Sequence, residues 1–161
     1  MHLLLTDCRQ IEEVAGRIYQ HLASVPGFAA EVRATFQQLA ADEREHSRQL
    51  DLALQVPELE KLGVNRIAWV KVDEALQLAQ RFLTEVEQQQ VSEEKALRLA
   101  VDLEKYFIKI HLDNAVHFSN QQLADLFNGL GRSDQQHLNT LRECLTWWHR
   151  RNKSAGGTPA V

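Results

Sequence analysis

Four stretches of this chain carry apolar residues at spacings of three and four, and each stripe is interrupted near its middle by an acid. The first runs Leu5, Cys8, Glu12, Ala15, Tyr19, Leu22 and the second Val32, Phe36, Leu39, Glu43, His46, Leu50. The third runs Leu97, Ala100, Glu104, Phe107, His111, Ala115, Phe118, and the fourth Leu123, Phe127, Leu130, Asp134, His137, Leu141, Cys144, Trp148. Such spacing marks one face of an α-helix, the face that must be buried. Four faces of this kind bury one another in a bundle, and their acids then meet inside it. Carboxylates in an apolar core are penalised heavily unless a positive charge compensates them, so the pattern asks for cations as well as a fold.

Two acid–histidine pairs narrow the chemistry. Glu43-x-x-His46 and Asp134-x-x-His137 place a carboxylate three residues before an imidazole, which on a helix aims both at one spot. With one glutamate from each of two further helices, Glu12 and Glu104, they form the donor set of a two-metal carboxylate site in a four-helix bundle. Carboxylate oxygen and neutral imidazole suit iron or manganese, and the absence of thiolate from the set argues against structural zinc. Glu12 to Glu43 spans 31 residues and Glu104 to Asp134 spans 30, an internal repeat of two helical hairpins. The stripe of Thr6, Arg9, Glu13, Gly16 and Gln20 reads as a solvent face, and Asp42 and Glu45 read as surface charges.

Punctuation residues set the expected boundaries. Thr6 or Asp7 caps a first helix that stops at about Ser24 before Pro26-Gly27, and the second runs from about Phe28 to Val56, ended by Pro57. The connection over 57–91 is too long for an antiparallel turn, and 73–89 within it reads as a crossover helix with Leu76, Ala79, Leu83 and Val86 on one side. Ser92 caps the third bundle helix and Asn120 the fourth. Gly129 and Gly131 just before the second pair predict a continuous but locally irregular helix, with a π-bulge, a close helix contact or a break at Ser133 as possible causes. The bundle is expected to occupy 1–151, with 152–161 a flexible tail.

Composition agrees with an all-α fold: among 161 residues only seven are Gly and three Pro. A net charge of −4 offers no basic field for nucleic acid. Met1 to Leu5 is too short for a signal peptide, and no run approaches the roughly 18 apolar residues of a spanning helix, so a cytoplasmic protein without a membrane partner is expected. Cys8 and Cys144 form no Cys-x-x-Cys and read as buried or free thiols. His21, His117 and His149 fit no inner stripe, and Trp147-Trp148-His149 reads as bundle-end packing or a dimer contact.

On these residues the chain resembles the ferritin-like superfamily, and within it the rubrerythrin-related branch. Glu12-x-x-Ala15-x-x-x-Tyr19, Glu43-x-x-His46, Glu104 and Asp134-x-x-His137 are similar to that branch's four ligand motifs, over about residues 5 to 150. The resemblance implies a ferritin-like four-helix bundle with a long helical crossover between its second and third helices. It also implies a centre of two iron ions, or manganese or a mixed pair, and reduction of dioxygen or hydrogen peroxide. Tyr19 and His111 are then expected to hydrogen-bond ligand carboxylates from outside the metal shell. Two departures stand out: Phe107 occupies the place of an additional glutamate, and Asp134 replaces a glutamate. The four-cysteine rubredoxin-like domain of full rubrerythrins has no counterpart in this sequence, so an external electron donor is implied; a homo-oligomer, dimer or larger, is expected as well. An iron-storage protein and a metal-free helical interaction module are the alternatives.

Overall fold

The computed structural model describes residues 1–55, 66–89 and 91–155. It contains five helices: α1 His2–Ala23, α2 Ala30–Leu54, α3 Arg66–Gln88, α4 Glu93–Ala115 and α5 Gln121–Ala155. Helices α1 and α2 pack as one hairpin and α4 and α5 as another. Between the hairpins α3 crosses over, lying against α1 and α4. This is the expected all-α, ferritin-like bundle with a helical crossover, and the described residues include no strand.

The four stripes form its interior. From Leu5 to Leu22 every member of the first stripe, Glu12 included, is 0% exposed. Phe36, Phe107 and Phe127 are fully buried large side chains of this core, and buried Val72, Ala75, Ala79 and Val86 seat the crossover. Both cysteines are buried and free. Among the described residues, no helix is long and apolar enough to cross a membrane.

Several boundaries differ from expectation for local reasons. Helix α1 begins at His2, and Thr6 lies within it, its hydroxyl donating to His2 O at 2.9 Å. Burial of Leu4 and Leu5 draws these residues into the helix and overrides capping at Thr6 or Asp7. Phe28 is buried but precedes α2, and the Ala29 N–H is taken by the Glu93 carboxylate. Helix α2 closes at Leu54, while Val56, Pro57 and the connection up to 65 lie outside the described residues. The crossover helix starts at Arg66, earlier than 73.

Capping is as expected at α4 and α5, where Ser92 Oγ accepts from Lys95 N at 3.2 Å and Asn120 Oδ1 from Leu123 N at 3.1 Å. Helix α5 passes through Gly129 and Gly131 as regular α-helix, so the expected irregularity is not there. A Cβ on Gly131 would stand 2.8 Å from Leu112 Cδ2, which identifies the close contact between α4 and α5 as the reason for this glycine. Trp148 Nε1 donates to Glu93 Oε2 at 2.7 Å and ties the end of α5 to the start of α4, so this tryptophan is bundle-end packing. The helix continues through 152–155, and the rest of the expected tail lies outside the described residues.

Candidate metal centre

The mid-stripe acids come together because each bundle helix presents its inner face at the same height. Glu12 on α1, Glu43 on α2, Glu104 on α4 and Asp134 on α5 are all 0% exposed, and His46 and His137 are buried beside them. Donor atoms of Glu12, Glu43 and His46 lie within 4.8 Å of one another, as do those of Glu43, Glu104 and His137. Glu43 belongs to both groups. His46 Nδ1 stands 2.9 Å from Glu43 Oε2 and 3.3 Å from Glu12 Oε2. Across the centre, His137 Nδ1 stands 3.2 Å from Glu43 Oε1 and 3.6 Å from Glu104 Oε2.

Asp134 reaches the same core but stands outside both three-residue groups. Its Oδ2 lies 2.6 Å from His111 Nδ1, and the other ring nitrogen of His111 lies 3.1 Å from Glu12 Oε1. His111 thus contacts two carboxylates of the set. Tyr19 donates to Glu104 Oε1 at 2.5 Å and stacks on Phe36, so both residues expected around the ligands sit against them.

Two neighbours escaped the sequence reading. Ser133 Oγ lies 2.8 Å from His46 Nε2, and Asp42 Oδ2 lies 3.3 Å from His137 Nε2. Asp42 is therefore half-buried at the centre's edge rather than a plain surface charge. Each immediately precedes the acid of its own pair and serves the histidine of the other, so the internal repeat was the signal that could have found them. The Ser133 hydrogen bond at Nε2 keeps His46 Nδ1 turned inward. Gly16, expected at the solvent face, is buried where a Cβ would meet Glu43 Cβ at 3.5 Å.

Electrostatics reflect four buried carboxylates and three buried imidazoles at close range. Burial opposes charge on every imidazole, yet Glu12 and Glu43 push His46 up to about 11, Glu104 and Glu43 push His137 up to about 11, and Asp134 and Glu12 push His111 up to about 10. Burial and the Glu12 charge push Glu43 up to about 8, while burial and the Asp134 charge raise Glu104. Burial would also raise Glu12, but His111 and His46 hold it well below the ordinary carboxylate range. The acids can keep their charge only with positive partners.

Those partners do not satisfy the cluster. Among the described residues, every buried side-chain nitrogen or oxygen without a hydrogen bond belongs to it: Glu12 Oε1, Glu43 Oε1, Glu104 Oε2, Asp134 Oδ1, His111 Nε2 and both nitrogens of His137. Left unmade, such bonds cost about 1–3 kcal/mol apiece, so native cores hold few of them and seldom gather them in one place. Convergent oxygen and nitrogen donors without hydrogen-bond partners fit divalent cations. A cleft of about 680 Å³ reaches Glu12 from outside, lined by Gly16, Arg17, Gln20, Arg44 and Ser47 among others.

A sequence model of the family described as Rubrerythrin matches residues 4–145, a span containing all six candidate ligands. The chain belongs to the rubrerythrin family. No curated protein and no solved structure matches it. Within the rubrerythrin family a carboxylate–histidine core of this kind suggests binding of a metal pair.

Proposed function

We propose that this rubrerythrin-family protein holds two redox-active metal ions, iron or with manganese in one or both places, and reduces dioxygen or hydrogen peroxide. Glu12, Glu43 and His46 would hold one ion and Glu43, Glu104 and His137 the other, with Asp134 the remaining acid of the set. The reading is carried by the buried donors without hydrogen bonds, all within one cluster. A metal-free interaction module would leave every one of them at full cost.

The ion pair supplies two electrons at one place, enough with two protons to cleave the O–O bond of hydrogen peroxide to two waters. The chain's own residues would do the rest. Tyr19 fixes Glu104, Ser133 holds the outer nitrogen of His46, Asp42 stands 3.3 Å from that of His137, and the buried Phe36, Phe107 and Phe127 keep bulk water away. A small oxidant would approach Glu12 through the cleft beside Gly16. Electrons would come from a separate donor protein or reductant, and the setting we favour is the cytoplasm.

The test is elemental analysis of protein produced with iron, followed by peroxide consumption under a chemical reductant. Two metal ions per chain and reductant-dependent loss of peroxide are expected. Protein that carries no metal after iron supplementation overturns the reading, and two bound ions without peroxide or dioxygen consumption overturn its redox part.

A further inference from the structure

We propose that His111 is itself a metal ligand, oriented by Asp134, so that an imidazole on α4 supplies the donor that a longer acid at position 134 would otherwise provide. The inference rests on the two-metal reading above and concerns the composition of that centre.

Its origin is the packing of α4 on α5. The absent Cβ of Gly131 lets α5 approach Leu112 and the Cβ of His111, which would otherwise stand 3.6 Å from the added atom. One turn further along α5, on the same face, Asp134 meets His111 with Oδ2 and Nδ1 2.6 Å apart. An edge contact with Phe127 of the same helix, at 5.7 Å between ring centroids, also packs against the imidazole. A carboxylate that accepts Nδ1–H leaves the lone pair of Nε2 for a cation, the carboxylate–histidine–metal arrangement.

The far side of the ring points the same way. His111 Nε2 is fully buried and without a hydrogen bond, and so is Glu12 Oε1, although the two atoms are 3.1 Å apart. They are close enough to bond but misaligned for it, as expected of atoms directed at a common third point. Two donors at about 2.1 Å from one ion would stand roughly 3.0–3.4 Å apart, from a right angle to the tetrahedral one. The neighbouring separations, 3.3 Å from His46 Nδ1 to Glu12 Oε2 and 2.9 Å to Glu43 Oε2, are similar in length, but those pairs are aligned as hydrogen bonds. His111 Nε2 is therefore directed at an ion that Glu12 Oε1 would share, although His111, like Asp134, lies outside both three-residue donor groups. Asp134, one methylene shorter than glutamate, stands outside both donor groups and acts through the ring.

Cobalt(II) is the probe, because a histidine bound to high-spin cobalt shows its remaining ring N–H as a strongly shifted, solvent-exchangeable proton resonance. The intact chain is loaded with cobalt, its metal content measured and these resonances counted. Three are expected, from His46, His137 and His111, and in His111→Gln one disappears while the visible cobalt spectrum changes. Asp134→Ala, which removes the orienting acid, is expected to weaken cobalt binding by about 10- to 100-fold. Wild-type protein with two bound cobalt ions and only two such resonances overturns the role of His111 and leaves the two-metal reading standing. Wild-type protein that binds no cobalt overturns both. The wild-type count needs no variant to fold.

Discussion

Tyr19 on α1 donates to Glu104 Oε1 on α4 at 2.5 Å, a fully buried contact across the bundle between the two helices that each bring a single glutamate. The other oxygen of that carboxylate, Oε2, has no hydrogen bond and faces His137. The phenol thus divides Glu104 into a fixed oxygen and a free one, and only the free one is available to a cation.

Tyr19→Phe isolates that division, because the ring stays on Phe36 while the hydroxyl is lost. A hydrogen bond to a charged group contributes about 1.5–3 kcal/mol, and its loss should lower the melting temperature. Metal affinity should fall by about 10- to 100-fold, as for other groups that orient a ligand from outside. Thermal melts and cobalt titrations would check both, and an unchanged titration would mean that Glu104 needs no anchor.

Protein stripped of metal should lose stability as pH rises. Glu43 is pushed up to about 8 by burial and Glu12; despite burial, neighbouring carboxylates push His111 up to about 10 and His46 and His137 to about 11. Each raised group stabilises fully below its unfolded value, 4.5 for the glutamate and 6.5 for the histidines, and that contribution is lost as pH climbs through the folded value. Lowered Glu12 works the opposite way, but only in the acid range below 4.5. Metal binding requires these protons to leave, so its stabilisation grows with pH. Melting scans between about pH 6 and 9 should show the stripped protein weakening and its gap to the cobalt-loaded protein widening. A stripped protein that strengthens over this range would contradict the charge assignment.

Much of this arrangement was legible in the sequence because heptad spacing fixes which face is buried, and an acid on that face has nowhere else to point. Glu12, Glu43, His46, Glu104 and His137 all follow from that argument alone. What did not follow depends on how far apart the helices stand. Gly16 looked solvent-facing until α2 lay against it, and Asp42 and Ser133 gained their partners only when the hairpins met. Spacing likewise could not separate a bulge from a close contact at Gly131, which depends on Leu112 of another helix.

The two glycines of α5 should respond differently to alanine. At Gly129 the nearest atom to an added Cβ is Arg132 Nη2 at 3.9 Å, an ordinary contact with a mobile group. Gly129→Ala should therefore stabilise by up to about 1 kcal/mol through helix propensity. Gly131→Ala meets Leu112 Cδ2 at 2.8 Å and Cγ at 3.0 Å, so the partly exposed leucine must shift away from α5, which offsets the same gain. Denaturant melts should place Gly131→Ala below Gly129→Ala, and the reverse order would remove the close contact as the reason for the glycine.

Gly16 offers a test of the approach to the centre. An alanine Cβ there meets Glu43 Cβ at 3.5 Å and Ala40 O at 3.9 Å, both ordinary contacts, so Gly16→Ala should stabilise α1 by up to about 1 kcal/mol and leave metal content unchanged. A leucine would fill the floor of the cleft beside Glu12. Gly16→Leu should then slow cobalt uptake relative to Gly16→Ala, read by stopped-flow absorbance. Equal uptake rates in the two variants would mean that ions reach the carboxylates by another face, with the α2–α5 side at Asp42 and Ser133 the next to block.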